Sequence, residues 1–326
     1  MLTTINMTTS SQDMDRFENK EQLLDFYHSL GIDGIELMMV GGMEIPDKIT
    51  KSDVLGIHLN FPPYWYDFWK NNKEALQQIF GTEQTWQQYY GGVDGSALVK
   101  KLKAELAVAE KLHAKYVVFH ISESTPEECL TYKILHADEE ICDAACEIIN
   151  QALDGDAYHF EFLCENLWWS GLNMTRPKVT KRLMDGIHYE KKGIMLDTGH
   201  LLHTNRTLRT QEEAVEFIHQ ILDQHGELCR YIRGIHLQQS LSGEYVEEYL
   251  KNPIEQVSDY MNVVEKVFLH IFKIDQHQPF TAAGVFNLVE RISPQYLTYE
   301  LITENNEEHR RKLKEQLTAL NRLPML

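Results

Sequence analysis

The sequence predicts an α/β fold in which eight parallel strands close into one barrel. Three observations carry that prediction. Eight short apolar runs alternate with stretches of helical periodicity. No hairpin turn joins one run to the next, so each connection is a crossover and the strands run parallel. Six of the runs end in a histidine, a glutamate or an aspartate, at the strand ends where such barrels place their chemistry.

The elements follow in order. Leu2–Met7 alternates as a first strand, and a helix over about 17–30 stops at Gly31. Asp33–Met38 is the second strand, with Glu36 directed to the cup, and 41–52 holds a weak turn around Pro46. Val54–Leu59 is the third strand and carries His58. An insertion over 61–93 follows, dense in aromatics such as Tyr64, Trp65, Trp69, Trp86 and Tyr90. A helix over 95–113 leads to the fourth strand, Lys115–His120. After a helix over 138–152, Tyr158–Cys164 is the fifth strand, closed by Glu165-Asn166, with Trp168-Trp169 just beyond. A helix over 175–188 has Pro177 in its first turn, where the missing N–H costs nothing. The sixth strand, 193–197, runs through Ile194, Met195 and Leu196 to Asp197, with His200 three residues on. Gly199 between them reads as the residue that permits a tight turn. A helix over 211–225 precedes the seventh strand, Tyr231–His236. A second insertion, 237–274, runs up to Asp275 and His277. A short helix over 281–291, the eighth strand Gln295–Leu301 with Glu300, and a helix over 305–321 complete the chain. No strong linker interrupts the count. The reading is therefore one (β/α)8 TIM-barrel domain, 1–326, with 61–93 and 237–274 as insertions after strands three and seven, over the C-terminal face.

Composition bounds the function. The chain is 43% apolar and 25% charged, ordinary for a soluble globular protein. Its 31 Lys and Arg stand against 49 Asp and Glu, a formal net charge of −18. Such a surface repels phosphate backbones and argues against duplex nucleic acid. Five cysteines, with no Cys-x-x-Cys pair, point to reduced thiols in the cytoplasm. Neither a signal peptide nor a membrane-spanning apolar run is expected.

His58, His120, Glu165, Asp197, His200, His236 and Glu300, joined by Asp275 and His277, converge on the barrel axis if the strands close. One histidine at a strand end is more often structural than functional. Many uncompensated carboxylates and imidazoles in one cup are costly without cations between them. Divalent metals accept this mixture of nitrogen and oxygen donors.

With Glu165-Asn166, Leu196-Asp-Thr-Gly-His200, Gly234-Ile-His-Leu237 and Thr298-Tyr-Glu-Leu301 in place, the chain resembles the xylose isomerase-like TIM barrels. That superfamily joins sugar phosphate isomerases and epimerases to endonuclease IV-like proteins. Its isomerase branch implies one divalent metal held by Glu165, Asp197, His236 and Glu300. Its endonuclease IV branch implies three metals, with His58, His120, His200, Asp275 and His277 as additional ligands. Two departures from that second branch stand out. The loop between His236 and Asp275 is long, and basic DNA-contacting loops are not evident.

Two activities from different classes follow. In the first, a metal-dependent isomerase or epimerase acts on a small sugar-like or sugar-phosphate substrate. There Glu165 and Glu300 move protons and His200 contacts substrate, while Glu36, His58, His120 and Trp168 bind it. In the second, a multinuclear metal phosphoesterase activates water. A non-catalytic metal-binding barrel ranks last. The acidic surface and aromatic insertion tilt the sequence reading towards the first, with manganese, zinc, iron or cobalt as the cofactor. The oligomeric state is not legible.

Overall fold

Eight parallel strands close into a barrel in the computed structural model, which describes residues 1–252 and 260–323. The strands are β1 (Leu2–Thr8), β2 (Gly34–Met38), β3 (Val54–His58), β4 (Tyr116–His120), β5 (Glu161–Glu165), β6 (Lys192–Asp197), β7 (Ile232–Leu237) and β8 (Tyr296–Tyr299). Each pairs in parallel with its neighbours in chain order, and β1 closes the ring on β8. The fold is the expected (β/α)8 barrel, in a single domain.

The pleat explains why the ends of the strands matter. Alternate residues of a strand face the same side. Tyr116, Val118 and His120 therefore share one face of β4; so do Leu163 and Glu165 on β5, and Met195 and Asp197 on β6. Tyr116, Val118, Leu163, Met195 and Tyr296 pack together as one buried cluster filling the barrel interior. A much larger cluster lies between the strands and the surrounding helices. The register sets His120 beside Glu165, and Asp197 beside His236. The polar residues are thus the last inward rung above an apolar plug.

Local signals place the helices. Asn19 accepts from Gln22 N, so the first long helix begins at Lys20 rather than near 17. The pair Thr210 and Glu213 forms a capping box that starts the helix Gln211–His225 at the expected residue. The short helix expected over 281–291 spans Gly284–Ile292. The first insertion folds into three short helices, Tyr66–Trp69, Lys73–Phe80 and Glu83–Tyr90. Most of its aromatics are buried and extend the large cluster: Tyr64, Trp65, Phe68, Trp86 and Tyr90 belong to it, and Phe68 stacks on Tyr90 at 4.0 Å. The second insertion carries the helices Gly243–Tyr249 and Tyr260–Ile274, and its residues 253–259 lie outside the described residues.

Candidate metal centre

All nine residues expected at the cup meet there. In three sets of residues the potential ligand atoms lie within 4.8 Å of one another: His58, His120 and Glu165; Glu165, Asp197, His236 and Glu300; and His200, Asp275 and His277. Glu165 belongs to two of them. His58 Nε2 and His120 Nε2 each stand 3.1 Å from Glu165 Oε2. His236 Nδ1 lies 3.2 Å from both Glu165 Oε1 and Glu300 Oε2. His277 Nε2 and His200 Nε2 approach Asp275 Oδ2 at 2.7 and 3.2 Å. A cation with bonds of about 2.0–2.2 Å holds its donors at comparable separations.

The histidine tautomers test whether a metal fits. His58 Nδ1, His200 Nδ1 and His277 Nδ1 contact the carbonyls of Leu59, Asn166 and Glu300 at 3.3, 2.9 and 3.1 Å. A carbonyl only accepts, so each Nδ1 carries the proton. Each Nε2 then faces a carboxylate oxygen. As neutral rings they would set a lone pair against negative charge, so a second proton or a cation must lie between. Glu300 Oε2 makes the same point: it is buried, and His236 is near it without the alignment of a hydrogen bond.

The electrostatics agree. Burial alone would lower the pKa values of His200 and His236, but Asp197 and Asp275 around the first, and Glu300, Glu36 and Glu165 around the second, hold both well above the usual range. Burial also opposes the charge on His277, yet Asp275 lifts it to about 9. Burial would raise Glu165, and His120 and His236 outweigh it, keeping this carboxyl well below the ordinary range. Asp197 goes the other way, raised by burial and by Glu300 and Glu165. Without cations the cup therefore retains protons.

A second layer of residues aims the first. Asn166 grips the Asp197 peptide from both sides, its Oδ1 accepting from Asp197 N and its Nδ2 donating to Asp197 O, at 2.9 and 3.0 Å. Asp197 Oδ1 in turn accepts from His200 N and Gln238 Nε2. Gly199 has a reason other than the one expected. It lies within the helix Thr198–Leu202, and a Cβ there would sit 2.0 Å from Gln238 Oε1. Close approach, not a turn, requires glycine. The loop carrying Asp275 and His277 is tied to the exit of β7 by paired Gln239 and Gln278 backbones, and Ser240 Oγ accepts from Gln276 N and His277 N.

Glu36 is buried beneath this layer. Its Oε2 accepts from Tyr116 and Thr298 hydroxyls at 2.8 Å each, and His236 Nε2 lies 2.9 Å from its Oε1. Gly56 makes room for that tyrosine, since a Cβ would lie 2.3 Å from the Tyr116 ring. Glu36, His58 and His236 also fall within ligand distance of one another. With two hydroxyls already donating to Glu36, and His236 presenting Nδ1 to the other carboxylates, this triad orients His236 instead of adding a cation site.

Trp168 stands beside the cup, with ring centroids 5.3 Å from His200 and 4.5 Å from His203. His203 went unassigned in the sequence. Its Nε2 lies 3.4 Å from Asp275 Oδ1, and its position three residues after His200, at the C-cap of the same short helix, is the signal that could have found it. A cavity of about 290 Å³ opens above His120, His200 and Asp275. A larger groove, about 1150 Å³, lies on the outside between the helices Gly284–Ile292 and Asn306–Ala319 and touches none of these ligands.

The chain belongs to the xylose isomerase-like TIM-barrel family, whose model matches residues 24–321. Among solved structures it is similar to a putative xylose isomerase from Rhodospirillum rubrum, at 12% identity over 100% of both chains with a TM-score of 0.57. Endonuclease IV from Thermus thermophilus is similar at 13% identity, 98% of this chain and 99% of that one, with a TM-score of 0.54. A D-tagatose 3-epimerase-like protein gives 15% identity, 98% of each chain and 0.51. These likenesses speak for the fold. A search among proteins of curated function finds no match. Among the described residues, no helix is long and apolar enough to cross a membrane.

Proposed function

We propose that the cup binds three divalent cations and that the protein hydrolyses phosphate esters. One observation carries this reading: His120 and His277 lie outside the four residues that suffice for one metal, in two further ligand sets, the first of which shares Glu165 with those four. His58, His120 and Glu165 would hold one cation. Glu165, Asp197, His236 and Glu300 would hold a second, and His200, Asp275 and His277 a third. Nitrogen and oxygen donors without thiolate suit zinc, manganese, iron or cobalt. When bound, such ions activate water and neutralise charge on a phosphoryl group. The chain's part is to fix their spacing: Glu165 bridges two sets, Asn166 and Gln238 hold Asp197, and Glu36 keeps His236 oriented. A cytoplasmic setting fits the five free cysteines, four of them buried.

A second reading keeps the single-metal isomerase or epimerase on a small sugar-like molecule. Glu165 and Glu300 would then move protons, with His200 contacting substrate. The net charge of −18 favours it, because it disfavours polyanions. The test is direct. Protein loaded with zinc or manganese is expected to release nitrophenol from bis(p-nitrophenyl) phosphate, and Glu165→Ala to abolish release. Solvent deuterium entering ketohexoses, with no diester cleavage, would establish the second reading instead.

A further inference from the structure

The cavity above the cup differs sharply in chemistry from its floor. His120, His200 and Asp275 form the floor. Its walls include Pro63, Trp168 and Trp169 on one side and Val264, Val267 and Ile271 of the helix Tyr260–Ile274 on the other. Among the described residues, no lysine, arginine, asparagine or glutamine lines it. Beyond the floor, Ser124 is the one hydroxyl among the described residues, and it already accepts from Cys129 Sγ.

These walls discriminate between ligands. A polyol buried here would leave hydroxyls without partners, each a desolvation cost. A nucleic-acid strand needs cations along its backbone, and no described lysine or arginine lines the cavity walls. An uncharged aromatic group meets neither objection. Trp168 and Trp169, with ring centroids 5.7 Å apart and tilted by 40°, present aromatic surface to it. The volume of about 290 Å³ is nearly twice the ~150 Å³ that accommodates benzene, and so suits one or two fused rings. Phe268 continues the apolar wall outward and is 58% exposed at the rim.

We propose that this cavity binds the uncharged aryl group of an aryl phosphate ester whose phosphoryl group rests on the cup. The proposal rests on the hydrolase reading for the phosphoryl end. Water supplies the oxygen that forms the new P–O bond, the bond from phosphorus to the aryl oxygen breaks, and the aryl alcohol leaves with a proton.

The aryl half is tested without turnover, so its failure and that of the hydrolase reading are distinguishable. Metal-free protein is titrated calorimetrically with 2-naphthol and, separately, with methyl glucoside. Saturable 1:1 binding of 2-naphthol is expected, weakened about tenfold or more by Val267→Glu and by Trp168→Ala, with no heat from the glucoside. Absence of saturable naphthol binding, tighter binding of the glucoside, or naphthol binding unchanged in both variants would overturn the proposal. Either variant suffices if the other does not fold.

Discussion

Two groups of buried histidines obey opposite electrostatics. In the cup, His200, His236 and His277 are pushed towards the charged form by carboxylates, although at His120 burial outweighs Glu165 and lowers the pKa. Away from it, His270 and His309 are as deeply buried, but burial, reinforced by Lys273 and Arg16 respectively, lowers both to about 4. His270 is hydrogen-bonded to the Tyr245 and Tyr132 hydroxyls, and His309 Nε2 has no partner among the described residues. Neither has a carboxylate within ion-pair distance among the described residues. Desolvation is common to all five, so it does not distinguish a site. What distinguishes the cup is negative charge that only protons or cations can balance.

The largest expected effect comes from the residue shared between sets. Glu165→Ala should remove two cation equivalents, where Asp197→Ala removes one, and both should keep the barrel's far-ultraviolet circular dichroism. If elemental analysis of Glu165→Ala shows the loss of a single equivalent, the shared set does not exist. A smaller effect is expected from Glu36→Gln, which leaves the first layer intact but weakens the hold on His236. Metal affinity should fall about 10–100-fold, measured by competition with a chromogenic chelator. Unchanged affinity would assign Glu36 to the fold alone.

Acid and base then separate the two groups of histidines. His277 is raised from 6.5 to about 9. In metal-free protein its contribution to stability is therefore complete below pH 6.5 and lost as pH rises through about 9. Added zinc should flatten that loss, because the metal takes the place of the protons. His270 and His309 have the opposite sign. Their values near 4 mean that the unfolded chain binds protons first, so stability falls as pH drops from 6.5 towards 4. Urea melts across pH 4–9, with and without zinc, read both slopes. In metal-free protein, an acid limb left unchanged by replacing both His270 and His309 would break the comparison. Replacing His270 by Gln should give the smallest effect, a shallower acid limb with metal content unchanged.

Much of this was legible because a strand has a period of two. An apolar run ending in His120, Glu165 or Asp197 announces both its inward face and the rung above the plug. The layer behind those ligands was not legible. Asn166 acts on the Asp197 peptide, and Gln238 fits over Gly199; neither pairing exists until β5, β6 and β7 are side by side. Glu36 was read as facing substrate because it sits on a barrel strand, whereas the structure sets it against Tyr116, Thr298 and His236. The aromatic insertion carried too much weight in the sequence. Most of its rings pack on one another, and of its residues Pro63 reaches the cavity. The opposite wall comes from the helix Tyr260–Ile274, which the sequence reading leaves inside the second insertion.

Metal content per chain tests the three-cation cup most directly. Wild type, His120→Ala and His277→Ala are dialysed against excess zinc, and separately excess manganese, then freed of unbound metal and measured by elemental analysis. Three equivalents in wild type and two in each variant are expected. One equivalent in all three proteins would contradict the three-cation cup and leave the single-metal isomerase or epimerase as the better reading.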